Sequence, residues 1–278
     1  MPKTILVVAN ETLGGQALLE RIKEKAAGEE LRVIVCVPRT NPRHGNVIFD
    51  DAVFDAAQVR IDLARKVLRE EGIPAIGEVG DPDPYSATMD AIAEYEPDEV
   101  LISTFPAASS GWLRRDLIER ISDAAGIPVD HVVVDLDEEG LPFGVTLAVA
   151  NRTAASDAFL DKLKEKATDE RHLFIFVVPQ EGGDGMAARR ARARLTQMID
   201  RARAADLICA GMIGDPDPYT AIMNALQFFR ASDVVISTLP ETRSGWLRAG
   251  LIDRVARAAN IPVEHVAAKA SDSETAAA

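Results

Sequence analysis

The chain has 278 residues with 44 acidic and 31 basic side chains, which gives a formal net charge of −13 at pH 7. This balance argues against a nucleic-acid partner, because a phosphate backbone requires a basic face, whereas a nucleotide needs only a local cluster of donors. The sequence has no 18-residue apolar run and no signal peptide, so we expect no membrane partner and a cytoplasmic location. Cys36 and Cys209 are expected to be reduced thiols of the core.

Short apolar runs alternate with helical patterns along the chain. In the first half the predicted strands are residues 5–9, 33–37, 75–79, 100–102 and 129–134, and the predicted helices include residues 54–69, 84–95 and 113–125. In the second half the same order gives predicted strands at residues 146–150, 173–178, 207–212, 234–236 and 263–267. Near-continuous apolar strands between helices are typical of parallel sheets covered on both faces.

The two halves also repeat each other residue by residue. The segment GDPDPY at residues 80–85 returns at 214–219, and the segment SGWLR at 110–114 returns at 244–248, so both have an offset of 134. This repeat predicts two tandem α/β units of about 135 residues each. The predicted organisation is unit 1 at residues 1–137, a linker at 138–143, unit 2 at 144–268 and a flexible tail at 269–278.

Polar residues follow the first and fourth strands of each unit. Asn10 and Thr12 follow strand 1, and Ser103 and Thr104 end strand 4. In a doubly wound sheet with right-handed crossovers, ligands bind beyond the carboxyl ends of the strands, where the strand order reverses. If strand 1 neighbours strand 4, these residues line one crevice. Their counterparts in unit 2 are Asn151, Thr153, Ser237 and Thr238.

A helix start follows strand 4 in each unit, at Ser110-Gly111 and at Ser244-Gly245. A helix N-terminus offers unpaired N–H groups to an anion, and Arg114 and Arg248 would add positive charge one turn later. The alternative is that both serines only cap their helices and that the arginines pair with acidic neighbours. The sequence leaves both interpretations open.

Other repeated residues favour structural roles. Asp83 before Pro84 is typical of a helix N-cap, which we prefer to a Mg²⁺ site formed with Asp81. Tryptophans two residues into a helix, as at residues 112 and 246, more often anchor that helix than stack on a base. For the strand-5 histidines at residues 131 and 265, we prefer a polar contact where two strand-5 edges meet to the alternative of a metal site.

The order of these segments resembles the universal stress proteins, in a tandem arrangement. The resemblance depends on GDP at the end of strand 3, on DEVLI at residues 98–102 with DVVI at 233–236, and on IPV at 127–129 and 261–263. It implies a fold similar to the adenine-nucleotide α-hydrolases, with two five-stranded parallel sheets of order 3-2-1-4-5 and helices on both faces. It also implies ATP or another adenine nucleotide as ligand, pairing through strand 5, an internal pseudo-dimer and a possible homodimer.

The sequence departs from the ATP-binding members of that family at two points. Those members usually end strand 1 with aspartate, where this chain has Asn10 and Asn151, and they follow strand 4 with a glycine loop, G-x2-G-x9-G-[ST]. Here residues 103–112 contain one glycine, and without the others a loop loses the close backbone approach to a triphosphate. The place of the pocket therefore carries over, but its ATP specificity does not. The candidate residues are Asn10, Thr12, Pro38, Gly80, Ser103, Thr104, Ser110, Gly111 and Arg114 in unit 1, and Asn151, Thr153, Gly214, Ser237, Thr238, Ser244, Gly245 and Arg248 in unit 2.

Two functions remain open on these grounds. One is a cytoplasmic stress-response module that binds a nucleotide or another small anion in the crevice. The other is a ligand-free interaction protein whose units serve dimerisation and partner binding. We expect no enzyme, because no residue is placed to act as a general base, although weak hydrolysis of a bound nucleotide stays an alternative. We also expect no metal site.

Overall fold

Two five-stranded parallel sheets form the framework of the chain. The computed structural model describes residues 2–28, 30–40, 50–107, 110–112, 116–182, 185–240 and 244–268. The boundary between two compact units falls between Pro142 and Phe143, and residues 50–59 group with the second unit. The predicted tail at residues 269–278 lies outside the described residues, and the predicted linker and pseudo-dimer stay predictions.

Unit 1 contains five strands and four helices within the described residues. They are β1 (Lys3–Val8), α1 (Gln16–Ala26), β2 (Leu31–Pro38), α2 (Asp50–Glu70), β3 (Ala75–Gly80), α3 (Pro84–Tyr95), β4 (Glu99–Thr104), α4 (Leu117–Ala125) and β5 (Val129–Val133). The sheet order is β3-β2-β1-β4-β5, and all pairs are parallel.

Unit 2 repeats this order. Its described elements are β6 (Gly144–Val149), α5 (Asp157–Asp169), β7 (His172–Pro179), α6 (Gly185–Ala204), β8 (Ile208–Gly214), α7 (Pro218–Phe228), β9 (Asp233–Thr238), α8 (Gly245–Arg248), α9 (Leu251–Ala259) and β10 (Val263–Ala267). The sheet order is β10-β9-β6-β7-β8, with all pairs parallel. Both sheets confirm the predicted doubly wound fold of order 3-2-1-4-5.

The strand register fixes where each sheet reverses its order. At the end of β1, Val8 pairs with Cys36 of β2 on one side and with Ile102 of β4 on the other. In unit 2, Val149 of β6 pairs with Val177 and Ile236 in the same way. The residues that follow these strands therefore meet at one edge of each sheet, as the sequence predicted.

The core of each unit lies between the sheet and its helices. In unit 1, Leu6 of β1 and Leu117 of α4 belong to one buried cluster. In unit 2, Phe174 of β7 packs in a cluster with Phe159 of α5 and Met198 of α6. Burial of each such side chain contributes about 1.5–3 kcal/mol relative to exposure. No helix within the described residues is long and apolar enough to cross a membrane.

The predicted helix at residues 113–125 is confirmed only from Leu117, and residues 113–115 lie outside the described residues. In unit 1, α4 begins only at Leu117, after Asp116 in the left-handed conformation with φ of 49°. In unit 2 the same segment is divided into α8 and α9, and Gly250 between them has φ of 61°. A left-handed residue reverses the chain direction and ends a helix, and glycine adopts it without the steric cost that a side chain brings.

The GDPDPY segments form the start of α3 and of α7. The Oδ1 atom of Asp81 accepts from the N–H of Asp83 at 2.8 Å, and the Oδ2 atom of Asp83 accepts from the N–H of Ser86 at 3.1 Å. Asp215 and Asp217 make the same two contacts in unit 2. The predicted N-cap, with proline at the first helical position, is confirmed in both units.

Candidate functional site

A cavity of about 270 Å³ lies at the carboxyl ends of β6 and β9, where the unit 2 sheet reverses its strand order. Six of its lining residues are among the candidates from the sequence: Asn151, Thr153, Ser237, Thr238, Ser244 and Gly245. Four further lining residues were not among them: Arg152, Glu181, Leu239 and Trp246. Together these residues form a polar cavity at the position where ligands usually bind in this type of fold.

Two of the four candidate threonines, Thr12 and Thr153, join strand ends at the crevice. Thr153 donates through Oγ1 to the carbonyl oxygen of Ser237 at 3.1 Å. Thr12 makes the same contact with the carbonyl oxygen of Ser103 in unit 1, at 3.3 Å. Each hydroxyl proton is thus used to join the turn after the first strand to the end of the fourth.

The asparagines join the first strand of each sheet to the second. Asn151 donates through Nδ2 to the carbonyl oxygen of Pro179 at 3.1 Å, and Asn10 donates to that of Pro38 at 3.2 Å. The two remaining amide oxygens differ. The Oδ1 atom of Asn151 accepts from Arg194, whereas the Oδ1 atom of Asn10 is buried and has no partner among the described residues.

Ser237 and Ser103 share an unusual property. Both side chains are only 1% exposed, and neither hydroxyl has a hydrogen-bond partner within the described part of the chain. A buried polar group without a partner costs about 1–3 kcal/mol, so such groups normally meet water or a ligand. Ser237 is among the residues that line the cavity, and its buried hydroxyl is the candidate group there for an external partner.

Thr104 and Thr238 contact the strand-5 histidines. The Oγ1 atom of Thr104 lies 2.9 Å from Nε2 of His131, and that of Thr238 lies 2.8 Å from Nε2 of His265. Burial lowers the pKa of both histidines below the ordinary value. Each histidine thus makes a polar contact within its own unit, whereas the predicted polar contact where two strand-5 edges meet stays a prediction.

The serine at the helix start acts as a cap in unit 2. Ser244 accepts through Oγ from the N–H of Leu247 at 3.2 Å, at the start of the four-residue helix α8. Its N–H donates to the carbonyl oxygen of Pro240, and the N–H of Ser110 donates to that of Pro106 in unit 1. Arg114 lies outside the described residues, as does the side chain of Arg248, which ends α8.

The candidate glycines have different surroundings. A Cβ atom at Gly80 would lie 2.7 Å from Cβ of Ala87, and one at Gly214 would lie 2.7 Å from Cβ of Ala221. These glycines thus allow α3 and α7 to pack closely against the sheet. This structural role differs from the ligand contact predicted for them. Gly111 has open space around its missing Cβ, and Gly245 begins α8 at the cavity.

Arg194 is a residue that the sequence interpretation missed. It lies on α6 and donates through Nη2 to Oε2 of Glu181 at 3.3 Å, besides its bond to Asn151. Arg60 of α2 stands 134 residues earlier, next to Ile61, which lies against Gly77 as Leu195 lies against Gly211. This shared offset could have identified the arginine pair, although the two helices otherwise agree poorly.

A carboxylate faces each of these arginines. In unit 2, Glu181 also accepts from Nε of Arg152 at 2.5 Å. Burial raises the pKa of the Glu181 carboxyl, but the hydrogen bonds and charges of Arg152 and Arg194 outweigh it and hold the pKa below its ordinary value. In unit 1, burial lowers the pKa of Arg60 to about 10, and the charge of Glu11 opposes that shift.

The tryptophans also differ between the units. Trp112 packs against the buried core of unit 1, as its predicted anchoring role requires. Trp246 lines the unit 2 cavity and offers it a flat aromatic surface. Within the described ranges, no group of three or more His, Cys, Asp or Glu side chains is arranged to hold a metal ion.

Comparison with known proteins finds similarity in structure. No family model and no curated protein sequence matches the chain. A universal stress protein from Archaeoglobus fulgidus DSM 4304 is 16% identical over 96% of this chain and 97% of its own, with a TM-score of 0.37. A putative universal stress protein from Pseudomonas aeruginosa UCBPP-PA14 is 17% identical over 100% and 98% of the two chains, with a TM-score of 0.31. A functionally unknown protein from Pseudomonas aeruginosa PAO1 is 18% identical over 99% and 97%, with a TM-score of 0.29. These likenesses concern the fold alone and carry no argument about a ligand.

Proposed function

We propose that the chain is a cytoplasmic stress-response module, similar to the universal stress proteins, whose second unit binds a small anionic ligand. The observation that supports this most directly is the cavity at the end of β6 and β9, whose lining includes Ser237, a residue with a buried hydroxyl that has no partner among the described residues. Pockets for drug-sized ligands span roughly 300–1,000 Å³. A cavity of about 270 Å³ suits a small anion or the phosphate-bearing part of an adenine nucleotide.

Each wall of the cavity would supply a different contact. The Ser237 hydroxyl would donate to the ligand, Arg152 would supply positive charge, and Trp246 would cover an apolar face. Arg194 does not line the cavity but bonds to Asn151 and Glu181 of its lining, and would add to that charge. Thr153 and Asn151 already hold neighbouring strand ends, so in this proposal they shape the cavity instead of contacting the ligand.

Binding without turnover is part of the proposal. Asp215 and Asp217, the repeated aspartates of unit 2, already accept backbone N–H groups at the start of α7. A general base must reach the proton that it removes, and these carboxylates are engaged in capping. We therefore expect a regulatory binding module in which no adenine nucleotide is consumed.

Calorimetric titration of the full chain with ATP, ADP, AMP and inorganic phosphate, with and without Mg²⁺, tests the proposal. Ser237→Ala should weaken binding by about three- to tenfold, because a ligand hydrogen bond is lost. Its melting temperature without ligand should equal or exceed that of the parent, because the removed hydroxyl has no partner in the described chain. Ser103→Ala makes the same change in unit 1 and should leave the unit 2 affinity unaltered. Equal affinities of Ser237→Ala and the parent would count against the proposal.

The ligand-free alternative has its own support. Asn151, Thr153 and Ser244 all satisfy their hydrogen bonds within the chain, and Glu181 already pairs with both arginines. A flat titration at millimolar ligand would favour this alternative, in which the chain acts through protein partners and the Ser237 hydroxyl meets water.

A further inference from the structure

The Glu181 carboxylate stands between two guanidinium groups at the unit 2 cavity. Its Oε1 atom lies 2.5 Å from Nε of Arg152, and its Oε2 atom lies 3.3 Å from Nη2 of Arg194. Arg152 and Glu181 both line the cavity. One carboxylate shared by two arginines is the arrangement by which proteins hold anionic ligands, and here the anion belongs to the chain itself.

The fold itself does not require this carboxylate. Glu181 stands two residues after Pro179, and the corresponding residue of unit 1, two after Pro38, is Thr40. The bond from the asparagine to the proline carbonyl is made in both units, so it forms with or without a glutamate at this position. The carboxylate is thus an addition of unit 2 to a shared framework.

The two arginines would respond differently if Glu181 left. The Arg152 side chain is 63% exposed, and such ion pairs contribute only about 0–1 kcal/mol. Arg194 is only 19% exposed and is also bonded to Oδ1 of Asn151, so it keeps one fixed contact at the cavity. The charges of both arginines keep the pKa of Glu181 low, so the carboxylate stays ionised near neutral pH and does not leave through protonation.

We propose that the Glu181 carboxylate is an internal competitor, and that a ligand with a phosphate or carboxylate group binds in unit 2 by displacing it from Arg152 and Arg194. The proposal rests on the function proposed above and identifies what limits affinity at that site. It follows that a dianionic group binds better than a monoanionic one of similar size, because it must replace a charge already present. It also follows that removal of the carboxylate strengthens binding.

Titration of inorganic phosphate and of ATP into the full-length protein tests this directly. Glu181→Gln keeps the shape of the side chain and should bind about two- to fivefold tighter than the parent, as expected for one removed competing ion pair near the surface. Glu165→Gln removes the same charge from an exposed position of α5 in unit 2 and should bind like the parent. Adding Arg152→Gln to Glu181→Gln should abolish the gain.

Each result decides between the two proposals. If the parent and Glu181→Gln bind with equal affinity, or Glu181→Gln binds more weakly, the competitor is overturned while ligand binding stands. If only Glu181→Gln binds, the competitor is supported and ligand binding by the parent is overturned. If neither binds, both are overturned. If Glu181→Gln does not fold, Glu181→Thr, which introduces the residue found in unit 1, replaces it. This second variant should show the same gain in affinity.

Discussion

The crevices of the two units share a framework and differ in charge. In both, a threonine holds the end of the fourth strand, an asparagine holds the end of the second, and a buried serine hydroxyl lacks a partner in the described chain. Around this framework, unit 1 has Glu11 and Thr40 where unit 2 has Arg152 and Glu181. The residues that agree best between the copies therefore hold strands together, and the chemistry of the cavity varies around them.

Arg60 and Arg194 are the charged residues that both copies keep at this position. Each interacts with a carboxylate, which comes from the turn after the first strand in unit 1, as Glu11, and from the turn after the second strand in unit 2, as Glu181. Arg152 then adds a second positive charge in unit 2. Of these residues, unit 2 thus carries one net positive charge, whereas Arg60 and Glu11 of unit 1 balance each other.

The first prediction tests whether the matched glycines Gly80 and Gly214 have a structural role in both units or contact a ligand. Gly80→Ala and Gly214→Ala should each destabilise the protein by about 1–3 kcal/mol, because a new Cβ atom meets an alanine Cβ at 2.7 Å in both units. Chemical denaturation measures this effect. At Gly111, which has open space around it, an added Cβ should cost far less. A change in nucleotide affinity at unchanged stability would mean that Gly80 or Gly214 belongs to the site.

A double substitution that gives the unit 2 crevice the charges of unit 1 tests whether the charge difference between the units controls ligand binding. In Arg152→Glu with Glu181→Thr, Arg194 faces a single carboxylate from the turn after the first strand, as Arg60 faces Glu11. Phosphate affinity should fall by about tenfold, because the site loses one unit of net positive charge and keeps a competing carboxylate. Calorimetric titration measures it, and a neutral control such as Thr168→Ala at an exposed position of α5 should bind normally. Unchanged affinity would show that charge at these two positions does not decide binding.

The sequence predicted the fold well because each strand is an apolar run that ends at a polar or breaking residue. Asn10 and Asn151 ended the first strands correctly, and their place at the switch point follows from the strand order. The role of Arg194 was not predictable in this way, because its side chain reaches the strand end from a helix and the contact exists only after α6 has packed. Glu181 lies in a turn, where no periodicity indicates the direction of a side chain.

The divided fourth helix shows another limit. Apolar spacing over residues 113–125 is compatible with one helix, and a single left-handed residue at Asp116 is enough to set the start of α4 at Leu117. Gly250 is a signal for such a break in unit 2, but unit 1 has aspartate at that position, so the signal is absent from the first copy of the repeat.

That difference leads to a smaller prediction. Asp116→Gly should stabilise the protein by about 0.5–1 kcal/mol, because glycine adopts a positive φ without steric cost. Gly250→Asp, the reverse change in unit 2, should destabilise it by a similar amount. Thermal unfolding of both variants checks the sign. Two effects of the same sign would mean that the side chain at this position, and not the backbone conformation, controls stability.

The smallest effect is expected at the opposite end of the sheets, where each unit has a lysine between two carboxylates. Lys166 lies 3.2 Å from Asp233 and 2.6 Å from Glu264, and Lys25 lies 3.0 Å from Asp130 in unit 1. Hydrogen bonds from Lys162 and Lys166 hold the pKa of Glu264 below its ordinary value of 4.5, despite burial. A carboxylate with a lowered pKa stabilises the folded state above its ordinary pKa and loses this contribution as the pH falls through the folded value.

Glu264→Gln should therefore lower stability at pH 7 by no more than about 1 kcal/mol, since the pair is partly exposed. The difference from the parent should vanish as the pH falls below the lowered pKa of Glu264, because the parent carboxyl is then protonated and uncharged like the glutamine. Asp130→Asn is the matched change in unit 1 and should behave alike, since burial there is also outweighed by Lys25, which lowers the pKa of Asp130. Thermal unfolding measures both curves from pH 7 down to about pH 2, which lies well below the ordinary pKa of both carboxyls. A deficit that persists at the lowest pH would show that these side chains act through packing, and the two charge networks would then not be equivalent parts of the shared framework.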